Sequence, residues 1–358
     1  MDRQVSDLKR IALVAVATAA AMWILLYAPT PYVVYEPGIA TPVAPMVTAE
    51  QGDAEGEGTF LLTAVKLSDP NFFDVLRSAW DKDEDVMMKK EVFRGYTQQQ
   101  YQDRLSVIME GSQNNAVEAA YRYLELPFAF KVQAIVVSDI SVKAEEDAGL
   151  FQAGDKLVGL AGGPRFESTA DMLDKLRRVD AGSHVATIDI ERDGALAQVE
   201  MDAARLGPNL TEDRLPAAFG ASGLTELRSL EPGDARKRLA IKAGDIGGPS
   251  AGLVFALQSI DLLTVGDLTG GSRIAATGTI TPDGKVGPIG GIKQKVVITS
   301  REGAQLFLVP EGNYKEAKAK AKQLGTAMEV VGVTNLKDAL GKIKQFNAST
   351  RGVAVGNS

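Results

Sequence analysis

An uncharged run from Ile11 to Tyr27 (IALVAVATAAAMWILLY) constrains this chain more than any other stretch, because it has nothing with which to face water. It lies at the short end of the about 17–25 residues needed to cross a bilayer as a helix. Arg3, Lys9 and Arg10 precede it, and the next basic residue is Lys66. That asymmetry predicts a cytoplasmic tail (1–10), one transmembrane helix in the cell membrane (11–27) and a large C-terminal part outside the cytoplasm. Trp23 and Tyr27 then fall near the outer interface. Tyr27-Ala28-Pro29 lacks the small-x-small pattern of a cleavage site, so the anchor is expected to be retained.

With 358 residues the chain has room for two or three compact units. Its formal charge of −7 and lack of long Lys/Arg clusters argue against nucleic acid, whose binders gain affinity by neutralising phosphates. The absence of cysteine excludes disulfides, thiol nucleophiles and thiolate metal sites; a single histidine, His184, excludes a multi-histidine metal centre. No cofactor and no metal are expected.

After the apolar run, PTPYVVYEPGIATPVAP is rich in Pro and β-branched residues and reads as an extended lead-in that carries the chain away from the bilayer. Gly58 to Val65 reads as a strand, and Asn71 to Trp80 and Gln98 to Leu124 as helices. Phe72, Phe73, Leu76 and Trp80 are assigned to the core, and Asp81 to Glu91 to a solvated loop or helix face. From about Phe130 to Arg205 short strands surround one helix at Ala170 to Val179, with His184 expected at the surface. Gly149-Leu150-Phe151-Gln152-Ala153-Gly154-Asp155-Lys156-Leu157 and the strand ending Glu191-Arg192-Asp193-Gly194 resemble a bacterial PDZ domain. The resemblance implies a module that takes an extended peptide as an added strand.

The C-terminal stretch carries the chemistry. In Gly247-Gly248-Pro249-Ser250-Ala251-Gly252-Leu253, the Gly-Pro pair and the helical recurrence of Leu253, Leu257 and Ile260 put Ser250 at or near a helix N-terminus. Unpaired amides gather there, so the serine is a helix cap or a nucleophile beside an oxyanion site. A nucleophilic serine needs a base, and with no histidine or cysteine nearby a lysine made neutral by burial must serve. Lys293 and Lys295 are both candidates; two residues apart on a helix, they point to different sides.

Gly-Pro-Ser-Ala-Gly at 248–252, Thr277-Gly278 and Pro288-Ile289-Gly290-Gly291-x-Lys293-x-Lys295 together resemble the proteolytic domain of Lon proteases. Combined with the PDZ-like segment and the apolar run, the resemblance extends to bacterial membrane-anchored Lon-like proteases. It implies a catalytic Ser250–Lys295 dyad supported by Thr277, which would hold the lysine through its hydroxyl, and by Gly248 and Pro249. Two departures stand out: Gly247 replaces an acidic residue before Gly-Pro-Ser, and the histidines upstream of the serine in Lon have no counterpart. No G-x-x-x-x-G-K-[ST] loop occurs, so no ATP is expected.

The expected architecture is an α/β (α+β) Lon-type proteolytic domain plus a small β-rich PDZ domain after one transmembrane helix. Residues 28–126 form a lead-in and the N-terminal part of the protease unit, 127–206 the PDZ domain as an insertion, 207–346 the proteolytic domain and 347–358 a flexible tail. The resemblance implies an ATP-independent serine endopeptidase of the endopeptidase La type, acting on extended or unfolded polypeptides recruited by the PDZ domain; a homo-oligomer is among the assemblies the sequence allows. A catalytically silent PDZ scaffold anchored in the membrane is the alternative.

Overall fold

The structure, a computed structural model, describes residues 2–52, 56–140, 150–192, 194–244 and 246–355. Helix α1 (Asp2–Tyr27) contains Lys9–Tyr27, long and apolar enough to cross a membrane by length and composition, with none of it buried against the rest of the chain. The chain continues as β1 (Tyr32–Pro42), β2 (Val47–Ala49), β3 (Thr59–Ser68), α2 (Phe72–Trp80), β4 (Asp85–Met88), α3 (Lys89–Phe93) and α4 (Gln98–Tyr123). Thr97 and Gln100 form a reciprocal capping box that starts α4.

The middle of the chain forms β5 (Phe128–Ile140), β6 (Lys156–Leu160), α5 (Thr169–Arg177), β7 (Val185–Arg192), β8 (Ala195–Asp202), α6 (Leu215–Ala218) and β9 (Ala221–Pro232). These strands make a five-stranded sheet in the order β8-β7-β6-β5-β9, with Ile135, Ile188 and Ile190 packed under Met172 and Leu176 of α5. The sheet continues past the boundary expected at 206, because Phe219 and Ala221 belong to its core and β9 pairs with β5 along its length. Of the residues that carry the PDZ resemblance, Gly149 and Asp193 lie outside the described residues. His184 is exposed, as expected.

The remainder supplies β10 (Leu239–Ile241), α7 (Gly252–Leu263), β11 (Arg273–Ala276), β12 (Thr279–Ile280), β13 (Val286–Gly287), α8 (Ile292–Arg301), β14 (Leu306–Pro310), α9 (Glu311–Leu324), β15 (Glu329–Val333) and α10 (Leu336–Val355). Strands from both ends of the sequence share one sheet, ordered β15-β14-β11-β3-β1-β4; β15, β14, β11 and β3 are parallel and β1 is antiparallel to β3 and β4. Phe60 and Leu62 of β3 pack with α7, while Leu61 faces the layer of α8 and α9. Burial on both faces explains why Phe60 to Val65 of β3 read as an apolar run interrupted at Thr63.

Several expectations need correction. The Pro-rich lead-in is β1 itself, a strand of the main sheet with Val33 and Val34 buried. Its prolines fit because Pro37 sits at a bulge, and both lie beyond Tyr35, where pairing with β4 stops. Phe73, Leu76 and Trp80 are exposed, and Ser78 is the buried residue of α2. The acidic stretch 81–91 is neither free loop nor simple solvated face: it forms β4 and α3, and Asp83 binds Lys320 and Arg301. The last helix runs to Val355, through much of the tail expected at 347–358; residues 356–358 lie outside the described residues.

Candidate active site

Ser250 occupies a 3-10 turn, Pro249–Ala251, that continues directly into α7. Gly248 before it has φ 89° and donates its N–H to Leu105 O of α4 at 3.0 Å. Its left-handed φ suits glycine. Pro249 takes the first position of the turn, and its carbonyl accepts from Ser112 Oγ of α4 at 3.1 Å. Gly247 is explained by space: a Cβ there would lie 2.9 Å from Leu105 Cβ, so the close approach to α4 leaves no room for an acidic side chain.

Lys295 projects from α8, whose N-cap Gly291 adopts φ 67° and lies so close to Val65 that an added Cβ would meet Val65 Cγ1 at 2.7 Å. The Lys295 side chain is 2 % exposed and its Nζ lies 3.1 Å from Ser250 Oγ. Burial lowers its pKa from 10.5 to about 7, since a cation loses its hydration there. Nζ also donates to Thr63 O at 2.6 Å and lies 3.1 Å from Thr63 Oγ1. A neutral amine has two N–H groups and one lone pair. Donation of both hydrogens to the Thr63 carbonyl and hydroxyl leaves the lone pair for the Ser250 proton.

The Thr277 hydroxyl is not directed to the lysine. Its hydroxyl donates to Ser250 O at 3.1 Å, and the Gly278 N–H donates to the same carbonyl at 2.8 Å. Together they fix the backbone of the serine, and the role expected of Thr277 passes to Thr63. The sequence signal for Thr63 was a lone hydroxyl inside a buried apolar strand. Lys293 points elsewhere: its Nζ is 3.4 Å from Asp85 and 3.8 Å from Glu316, and its side chain is 41 % exposed.

Ser250 and Lys295 open onto a cleft of about 540 Å³ floored by β1 and β3 and walled by α4. Ile39, Val65, Leu67, Leu105 and Ile246 give it a largely apolar lining, with Tyr35, Thr63, Lys66 and Tyr101 as the polar groups beside Ser250 and Lys295.

Residues 241–344 match the Lon protease (S16) C-terminal proteolytic domain. The matched segment holds Ser250, Thr277 and Lys295 but not Thr63. The chain is 34 % identical over 125 residues to Lon protease of Methanosphaera stadtmanae, covering 34 % of this chain and 14 % of that protein. It is 28 % identical over 187 residues to Lon protease of Rickettsia bellii, 52 % of this chain and 22 % of that protein. To the peroxisomal Lon protease homolog 2 of Caenorhabditis elegans it is 32 % identical over 153 residues, 42 % and 19 % of the two chains. The chain thus spans about a fifth of the length of these Lon relatives.

Proposed function

We propose that this protein is a membrane-anchored, ATP-independent serine endopeptidase with a Ser250–Lys295 dyad, cleaving extended polypeptides outside the cytoplasm. The observation that carries this reading is the 3.1 Å approach of a buried Lys295 Nζ to Ser250 Oγ in the segment similar to the Lon proteolytic domain. Lys295, neutral at its lowered pKa, takes the Ser250 proton as Oγ attacks the scissile carbonyl. The N–H of Ser250, in the first turn of its helix where amides lack intrahelical acceptors, is the donor assigned to the developing oxyanion. The resulting ammonium then protonates the leaving amine as the C–N bond breaks, giving an ester on Ser250. Water, deprotonated by the same amine, hydrolyses that ester and regenerates the serine.

The apolar cleft suits an extended chain, and the five-stranded unit at 128–232 is read as a PDZ-like module that delivers it. The lack of a phosphate loop in this sequence supports action without nucleotide. The apolar helix Lys9–Tyr27 and the basic residues before it support an anchor with the domains outside. Full-length protein in detergent should cleave unfolded casein without ATP, and Ser250→Ala should abolish the cleavage. Casein left intact by the wild-type protein at neutral and alkaline pH would favour the silent scaffold.

A further inference from the structure

Helix α2 displays an exposed apolar face. Phe73, Leu76 and Trp80 fall at i, i+3 and i+7, on one side of the helix, and are 50 %, 50 % and 81 % exposed. Ala79 beside them is exposed too, whereas Ser78 on the opposite side is buried. Single exposed hydrophobics are ordinary, but three large ones in register on a nine-residue helix call for a partner.

The position of α2 says which partner. Helix α1 ends at Tyr27, and only Ala28 and Pro29 separate it from Thr30, which is buried and donates its hydroxyl to Pro70 O at 2.9 Å. Pro70 and the N-cap Asn71 lead straight into α2, and α1 and α2 are in contact. Helix α2 therefore sits where the apolar helix leaves the domain, and Trp23 and Tyr27 in the last turns of that helix are themselves 61 % and 71 % exposed. We infer that α2 is an interfacial helix, with Phe73, Leu76 and Trp80 inserted among phospholipid acyl chains and headgroups as a second membrane contact. This rests on reading α1 as a membrane span.

An indole at the end of a short amphipathic helix favours that boundary, because its ring is apolar and its N–H finds water or ester oxygens. Arg77 of α2 is paired with Glu84, and Asp69 and Asp83 beside the helix are paired with Lys89, Arg301 and Lys320, so charges of both signs are balanced here and no basic cluster draws the helix to anionic lipid. Zwitterionic phosphatidylcholine is the matching surface. With α1 and α2 both engaged, the catalytic domain would be held at a fixed tilt rather than swinging on a single tether.

The chain has two tryptophans, Trp23 and Trp80, so each can be observed alone. Full-length Trp23→Phe, reconstituted in phosphatidylcholine vesicles with brominated acyl chains, should lose Trp80 emission to an extent comparable with the loss of Trp23 emission in Trp80→Phe. Adding Phe73→Ser and Leu76→Ser to Trp23→Phe should restore most of it. Quenched Trp23 with unquenched Trp80 overturns the interfacial helix while leaving the span intact, including the case where Trp80 is shielded from aqueous iodide and so covered by protein. If neither tryptophan is quenched, the span fails and the inference with it.

Discussion

At the scale of single residues, the site depends on keeping one amine neutral near pH 7. Lys295→Ala should lose at least about 10²–10⁴-fold in peptide cleavage, and Lys295→Arg should not restore it, because a guanidinium does not deprotonate in this range. Lys293→Ala should keep most activity, its side chain being paired with Asp85 and Glu316 at the surface. Cleavage rates should rise with pH through a midpoint near 7. A Lys293→Ala variant without activity beside a competent Lys295→Ala would reverse the assignment. Stability should show the same group in another way. The folded amine titrates near 7 and the unfolded one near about 10.4, so the unfolded chain binds more protons between these values and wild-type stability climbs with pH across that interval. Below pH 7 the full burden of burial is present, on the order of 4 kcal/mol. Lys295→Met removes it but orphans the Thr63 carbonyl, at about 1–3 kcal/mol. The variant should therefore be more stable than wild type by roughly 1–3 kcal/mol at pH 6, with the difference shrinking toward pH 10, as urea midpoints would register. Thr63→Val should lower kcat more than KM, and Thr63→Ser should recover most of the loss, if the hydroxyl orients the amine. Ser250 and Lys295 were legible because local sequence positions each of them: Gly-Pro ahead of a helix, Gly-Gly ahead of another. Thr63 was not, because its partner lies 232 residues away and only the sheet brings them together.

At the scale of elements, two turns decide where the dyad groups point. Gly291 begins α8 in a left-handed conformation against Val65, and Lys295 N–H bonds to its carbonyl at 3.1 Å. Gly291→Ala should cost about 1–2 kcal/mol from backbone strain alone, and further contact with Val65 should displace the first turn that carries Lys295. Urea denaturation together with kcat would expose both effects; a variant of unchanged stability and rate would contradict this account of the turn. The helices that carry Ser250 and Lys295 could be read from apolar spacing and the Gly and Pro residues ahead of them because local and tertiary preferences agree there. They disagree in α2, where a helical apolar stripe has the same pattern whether its partner is a core or a bilayer. They disagree again in β1, whose prolines suggest a free segment but sit at a bulge and along an edge that β4 leaves open.

At the scale of the whole molecule, the two sheets meet through charge as well as through the β5–β9 ribbon. Arg104 of α4 bonds Asp139 near the end of β5 at 2.8 Å, and Tyr96 bonds both Asp139 and the Ile140 backbone. Burial alone would raise the pKa of Asp139, but Arg104, Tyr96 and the Ile140 backbone outweigh it and hold the carboxyl below its usual range. Its contribution is present above the ordinary carboxylate pKa and is lost as pH falls through the lowered one. Asp139→Asn should cost about 1–2 kcal/mol at pH 7 and flatten the acid limb of stability below the ordinary carboxylate pKa in pH-resolved urea melts. An unchanged acid limb would show that this junction does not bind the two sheets together.

The order of strands in the main sheet also sets a clock. Thr63 leaves the ribosome 232 residues before Lys295, and β3 lies between β1 and β11, one made early and the other late. At roughly 5–20 residues per second, the two halves of the base are apart for about 10–50 s of synthesis. Throughout that interval the emerging polypeptide lacks the amine that Ser250, itself made only shortly before Lys295, needs as a base, so the pair cannot form until most of the chain has been made.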